Sequence, residues 1–444
     1  MLTNRHNRRR FIRNGLASSV AIAGAPTIIP SAAWGQAGST RNNSKIQVGM
    51  IGVGGMGTSH LKTLLGQKDV RVVGICDVRK EHRDRALGLV KGAYGDKAQC
   101  LLFNDFREIL SLPELDAVCI AVPDHWHVLI GLEACRRGKA MYYEKPMGYT
   151  VEETQAIRAA VQRHNSIFQF GTQNRSDGRF RKTVELVRNG YLGELQRVIV
   201  GTASYDPAPV EKEEPVPEGL DYDMWLGPAP VAPYTPLRCT RNWTLIRDYS
   251  LGCLSGAYGI HNVDIAQWGI TGDESCPVEI EGTGTIPGSG IYDTFRKFEV
   301  HQKYANGVTM IHIDHISAMD KFPLFDVKNS MGVLFEGSEG WVYVARGYMD
   351  AHPKSLMRVT IGPNEFKLPP SNNHWRNFLG AVRHGTNPIC GVEAGSRSEI
   401  ACQQAEIALR LGRKLRWDNQ REQFIDDPVA NRYLARAMRG PWHL

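Results

Sequence analysis

The stretch "IQVGMIGVGGMG", residues 46–57, sets six mostly apolar residues against a cluster of glycines, and it decides how the first half of the chain is read. A short apolar run bounded by glycine reads as a buried strand, and "TSHLKTLL" behind it has the spacing of a helix. Between them, Gly52 permits a tight turn, Gly54 lets the main chain approach a diphosphate, and Gly57 lets the helix pack closely on the strand. Gly55 and Met56 complete the loop, whose free N–H groups at the start of a helix favour an anion. Such glycine spacings recur by chance, but here Asp77 closes the next apolar run, 20 residues beyond Gly57. A carboxylate there accepts hydrogen bonds from the hydroxyls of an adenosine ribose. Strand, glycine loop, helix and distant acid together predict a nicotinamide dinucleotide site. Asp77 repels a 2′-phosphate and favours NAD, while Arg79 and Lys80 leave NADP open.

Apolar runs at residues 70–76, 100–103, 117–122, 140–143 and 167–170 continue to alternate with helical patterns. That rhythm predicts βαβ units and a parallel sheet. Beyond residue 195 the strands lengthen and alternate, and Asn306-Gly307 between two of them signals a two-residue hairpin. The expected fold class is α/β: an N-terminal Rossmann dinucleotide-binding domain over residues 45–168, then an α+β domain over residues 169–444 with a large, mostly antiparallel open sheet. "HWRNFLGAVRHG" (374–385) and "SRSEIACQQAEIALRLGRKLRW" (396–417) read as helices near the end. With no helix in sequence to cover one face of the second sheet, a homodimer or homotetramer packed through that face is expected.

Ahead of residue 45 the pattern is different. Arg5, Arg8, Arg9, Arg10 and Arg13 precede a weakly apolar run over residues 15–29 and then Ser31-Ala32-Ala33. This is the layout of a cleavable export signal, and Arg8-Arg9-Arg10-Phe11-Ile12 resembles the twin-arginine motif. Residues 1–35 are read as the signal, residues 36–44 as a linker, and the mature chain as periplasmic. The run is too short, and too broken by Gly24, Pro26 and Pro30, to make a membrane span. Losing those five arginines takes the formal charge from +7 to +2, which removes any nucleic-acid argument. Nine cysteines, with Cys76, Cys119 and Cys402 inside apolar runs and no CxxC pair, argue for buried thiols rather than disulfides, and no metal site is expected.

A second constellation lies where ligands of such sheets bind, at the carboxyl ends of later strands. "VCIAVPDHWH" (118–127) carries Val122, Pro123 and His127, and "AMYYEKPMGYTVEE" (140–153) carries Glu144, Lys145 and Pro146. Adding "GTQNRS" (171–176), "MWLGPAP" (224–230) and "GIHNVDIAQW" (259–268), the mature chain resembles the Gfo/Idh/MocA family of nicotinamide-dependent sugar and cyclitol oxidoreductases. The last three motifs resemble a subgroup often exported by the twin-arginine route. The resemblance implies that Lys145 touches both the reacting hydroxyl and the nicotinamide ribose, that His261 is the general base, and that the partner is a small-molecule carbohydrate. Such roles suit alcohol oxidation, in which a base takes the hydroxyl proton and an ammonium stabilises the developing alkoxide. His125 and His127 are expected to shape the cofactor crevice.

One position departs from the pattern: many members place an aspartate four residues before the base, and here Ala257 stands there. Asp264 and Tyr258 are the nearest candidates to orient His261. Gln173, Asn174, Arg175, Trp225, Tyr234, Arg241 and Trp243 are expected to border the sugar, with His374 and Trp375 lining the same cleft. Three activities follow from this reading: a sugar or cyclitol oxidoreductase with tightly bound NAD, a redox-neutral glycoside hydrolase working by transient oxidation at C3, or a sugar-binding protein without catalysis.

Overall fold

The computed structural model describes residues 45–326 and 330–444; the expected signal and linker, residues 1–44, lie outside the described residues. Strand β1 (Ile46–Ile51) leads through helix Gly55–Leu65 to β2 (Val70–Cys76), helix Lys80–Tyr94 and β3 (Leu101–Phe103). Then come β4 (Ala117–Ile120), helix His127–Arg136, β5 (Ala140–Tyr143), helix Val151–His164 and β6 (Phe168–Phe170). These six strands form one parallel sheet in the order β3-β2-β1-β4-β5-β6, so the chain reverses direction between β1 and β4. Alternate residues feed opposite layers: Ala117, Cys119 and Tyr142 join the cluster of Ile46, Val48 and Met50, while Val118, Ile120 and Tyr143 join the cluster on the other face. Burial on both faces is why these strands read as unbroken apolar runs.

One helix covering this sheet comes from far down the chain. Helix His374–His384, capped by Asn373 at its start and by left-handed Gly385 at its end, lays Trp375, Phe378, Leu379 and Val382 on the Ile46–Val48 layer. The sequence predicts this helix but not its place.

The second sheet contains β7 (Leu195–Thr202), β8 (Glu279–Thr285), β9 (Lys297–Lys303), β10 (Thr309–Asp314), β11 (Gly332–Gly337), β12 (Trp341–Ala345), β13 (Tyr348–His352), β14 (Leu415–Asp418) and β15 (Gln423–Phe424). Their order is β13-β12-β11-β7-β10-β9-β8-β14-β15; β7 and β10 run parallel and the remaining pairs antiparallel. Helices Ile260–Ile270 and Val392–Leu411 pack against it. Every residue of Ile260–Ile270 is buried, as expected of a helix apolar on most sides.

Two local expectations are corrected. The Asn306-Gly307 hairpin forms, but its loop is three residues long: Gly307 donates to the Tyr304 carbonyl at 3.0 Å, and Tyr304 to Val308 at 2.9 Å. Gly307 alone takes a positive φ, +90°, whereas a two-residue type I′ turn needs positive φ at both central positions. The outer face of the second sheet is also not bare within the chain. Asp314 caps helix His315–Lys321 immediately after β10, and Ala318 and Phe325 cover Ile199, Ile311, Ile313, Leu334 and Tyr343.

Candidate active site

The glycine loop separates into two kinds of glycine. A Cβ on Gly52 would lie 2.3 Å from the Ala121 carbonyl oxygen, and one on Gly57 would lie 2.0 Å from that of Gly52, so the packing of the chain itself demands both. Gly54 and Gly55 face open space, with nothing nearer than 3.8 Å to a Cβ on either. They form a cradle that side chains would fill. Helix Gly55–Leu65 has no side-chain cap and no acid in its first turn, which leaves its N–H groups for an anion. Met56 stands half exposed beside them.

Asp77 ends β2 and is fixed before any ligand arrives: Oδ2 accepts from Val53 N at 2.9 Å and Oδ1 from Arg79 N at 2.9 Å. An open glycine cradle, a free helix start and an oriented acid fit NAD. Asp77→Ala is expected to relax the preference for NAD over NADP by ~1–3 kcal/mol, the value of charge-assisted hydrogen bonds to the ribose. Dissociation constants for the two dinucleotides check this; an unchanged ratio means that another group reads the ribose.

At the next strand ends, His127 lies between two loops, its ring nitrogens 2.7 Å from the Pro146 carbonyl and 2.9 Å from that of Val122, and as a neutral ring it donates to one of them. The two loops are the turn holding Pro123 and the loop holding Lys145. His125 reaches the Trp225 carbonyl at 3.0 Å. Burial pulls His125 down to about 3 and His127 to about 4, so both rings are neutral near pH 7.

Glu144 is buried beneath Lys145. Its Oε1 accepts from His60 at 2.8 Å and Gln173 at 2.6 Å, and its Oε2 from the Lys145 N–H at 3.2 Å. Trp375 donates to His60 Nδ1 at 3.0 Å, so His60 Nε2 carries the proton that reaches Glu144. Burial works to raise the Glu144 pKa, yet the His60 hydrogen bond and then the Lys145 charge hold it at about 2. A permanent anion therefore underlies the cleft floor.

Lys145 Nζ donates to the Gly256 carbonyl at 2.6 Å, which brings it to the segment leading into His261. His261 is 5 % exposed, and its Nδ1 has no hydrogen-bond partner among the described residues. Burial first, then the charges of Arg346 and Lys145, push its pKa well below the usual histidine value. The ring is thus neutral, the form in which a general base starts. Of its two expected orienting partners, Tyr258 stays beside it, ring centres 5.6 Å apart.

Asp264 does not. Its carboxylate accepts from Arg175 Nε at 2.7 Å, Arg175 Nη2 at 2.8 Å and Ser398 Oγ at 2.9 Å, and Arg175 also holds Asp273 through two bonds of 2.7 Å. Though three residues apart on one helix, Asp264 and His261 do not pair: the Asp264 carboxylate is taken by Arg175 and Ser398. This corrects the expectation for both residues: Arg175, 1 % exposed, is a buried ion-pair hub rather than a sugar ligand. Asn174 donates to the His261 carbonyl at 3.3 Å and accepts from Arg346 at 2.9 Å, so it braces the histidine. Gln173 supports Glu144. Trp225 and Tyr234 are buried in the second core, and Trp243 packs half-buried against it, without a hydrogen bond or ring contact to Lys145 or His261 among the described residues. His374 is held by Ser176 at 2.7 Å and the Phe170 carbonyl at 2.7 Å, while Trp375 stacks on Tyr142 at 3.8 Å, so both brace the site from behind.

Arg346, His60 and Asp124 are neighbours that the sequence reading misses. Arg346 sits in the turn between β12 and β13, exposed, with its guanidinium 5.4 Å from the Tyr258 ring. His60 and Asp124 stand within stretches the sequence reading quotes without being singled out, and nothing local marks Arg346. They reach the site only through sheet pairing or helix docking.

A parallel dinucleotide fold joined to an open, mostly antiparallel sheet, with Lys145 held on the segment that leads into His261, is the architecture of a family of NAD-binding oxidoreductases. The chain belongs to the Gfo/Idh/MocA oxidoreductase family: residues 46–172 match its NAD-binding Rossmann fold and residues 184–444 its C-terminal alpha/beta domain. Among curated relatives, an uncharacterized oxidoreductase YrbE of Bacillus subtilis is 28 % identical over 166 residues, 37 % of this chain and 46 % of that protein. An alpha-N-acetylgalactosaminidase of Shewanella oneidensis is 32 % identical over 164 residues, 36 % of this chain and 35 % of that protein. The alignments thus span less than half the length of either relative. Among solved structures, aldose-aldose oxidoreductase of Caulobacter crescentus shares the fold at a TM-score of 0.61 and 19 % identity, covering 84 % of this chain and 99 % of that one. Scyllo-inositol dehydrogenase of Lactobacillus casei, solved with NAD(H) and scyllo-inositol, does so at 0.56 and 17 %, with 84 % and 99 % covered.

Proposed function

We propose that this protein oxidises a secondary hydroxyl of a sugar, glycoside or cyclitol, using an NAD that it holds tightly and carries to the periplasm. The observation that carries the reading is the hydrogen bond of Lys145 to the Gly256 carbonyl, which holds its ammonium on the segment leading into the neutral His261, close enough for its charge to act on that ring. Bound NAD supplies the hydride acceptor. His261 takes the hydroxyl proton, Lys145 faces the oxygen on which negative charge grows, and Glu144 holds Lys145 in place through its main chain.

Retention of the cofactor is supported next to Asp77. There Lys80 donates to the Gly219 carbonyl at 2.8 Å and Asp221 to that of Val78 at 3.0 Å, fastening a loop of the second half beside the ribose end. A twin-arginine signal fits a protein that loads its cofactor before export. Homo-oligomer formation through the second sheet remains part of the proposal.

A second reading, redox-neutral glycoside hydrolysis, is favoured by relatives that carry the name glycosyl hydrolase family 109 and by Ala257 in place of an acid. One experiment separates the two. Purified protein is assayed for bound NAD by mass spectrometry and then given sugars, cyclitols and glycosides, with hits repeated on substrate deuterated at C3. Label passing to a separate acceptor supports the oxidoreductase. Label retained in a released sugar, with solvent deuterium at C2, supports the hydrolase. Protein without NAD that turns over none of these sinks both.

A further inference from the structure

Glu144 is the anion already held at Lys145, on its main-chain N–H, and a second buried carboxylate lies near the Lys145 ammonium. We propose that Asp124, in the turn after β4, is the positioning carboxylate of this site and acts on Lys145 across Gly256; this rests on reading Lys145 and His261 as the reacting pair. Asp124 is 1 % exposed, and its Oδ2 is buried without a hydrogen-bond partner among the described residues. A Cβ on Gly256 would fall 1.8 Å from that oxygen, while the carbonyl of the same residue accepts from Lys145 Nζ at 2.6 Å. Gly256 is therefore the gap through which acid and ammonium face each other. A buried carboxylate oxygen left unpaired is costly.

The other charged groups nearby are engaged elsewhere. Glu153 is held by Arg436 at 2.6 Å and Tyr149 N at 2.8 Å, and Glu399 by Ser255 at 2.6 Å and Met147 N at 3.0 Å. His125 and His127 are neutral, and a hydrogen bond from the Ser250 hydroxyl, after the Lys145 charge, works to lower the Asp124 pKa. Burial lifts Asp124 to about 7, with Lys145 the strongest charge opposing it, and lifts Glu399 to about 8. Ionised, Asp124 sets a negative charge beside the Lys145 ammonium, the group that faces the growing alkoxide.

The test does not need the substrate. Protein with its bound NAD is labelled with acetic anhydride from about pH 6 to about pH 11, and acetylation of Lys145 is followed by peptide mass spectrometry. Asp124→Asn is expected to lower the pH midpoint for Lys145 by about one unit, leaving NAD content and the midpoints of exposed Lys62 and Lys91 unchanged. With a substrate in hand, kcat falls ~10-fold or more at constant KM, and the rise of kcat near pH 7 disappears. An unchanged Lys145 midpoint overturns the proposal. Should the variant fail to fold, Asp124→Ala with Gly256→Ala puts a new methyl group where the carboxylate was, and a wild-type midpoint there overturns it equally. A shifted midpoint in a protein that oxidises no sugar leaves Asp124 in place and removes the functional reading instead.

Discussion

Lys145→Ala and His261→Ala are each expected to lower turnover by ~10²–10⁴, the usual contribution of a positioned acid or base. NAD stays bound in both, because the Gly52–Gly57 loop and Asp77, which fit its diphosphate and adenosine ribose, are left intact. Removing Lys145 takes away the ammonium held at 2.6 Å on the Gly256 carbonyl. Removing His261 leaves no neutral base beside it. The two act on one oxygen, so the double variant is expected to lose little more than the worse single one. Kinetics at saturating substrate with NAD counted per chain decides it. A variant that keeps NAD and more than half of its activity would place the chemistry elsewhere.

Arg175→Ala is expected to destabilise the protein by ~3–5 kcal/mol, since it leaves Asp264 and Asp273 without their cation in a buried site. Four hydrogen bonds of 2.7–2.8 Å and the face of Trp268, 4.6 Å from the guanidinium, depend on this one side chain. It joins the turn after β6 to helix Ile260–Ile270, which carries His261. Denaturant midpoints measure the loss. The exposed pair Arg179–Asp177 is the control: Arg179→Ala is expected to cost under ~1 kcal/mol. If the two variants are equally stable, the triad does not hold the helix.

Legibility in the sequence follows the range of the interaction. The glycine loop was readable because its demands are local: Gly57 meets Gly52 five residues away, and Asp77 meets Val53 across adjacent strands. The long-range contacts were not. Arg175 has the residue type of a hydroxyl-binding side chain, and only the docking of helix Ile260–Ile270 shows that its donors are taken by Asp264 and Asp273. Asp264 lies three residues from His261 in sequence, yet its carboxylate is taken by Arg175 and Ser398. Trp375 was assigned to the cleft from its position at a helix start, and it instead stacks on Tyr142 and donates to His60, completing a chain that ends on Glu144.

The sequence by itself determined the parallel fold and the dinucleotide loop, because short apolar runs and glycine geometry are properties of neighbouring residues; the Lys145 and His261 pair came from a family resemblance, not from spacing. Tertiary structure alone decided which charges surround that pair. Asp124, Glu144, Arg346 and Glu399 come from turns and helices up to hundreds of residues apart. Whether each is ionised depends on how deeply the packed chain removes it from water and on which partner it meets there, and no window of sequence contains both.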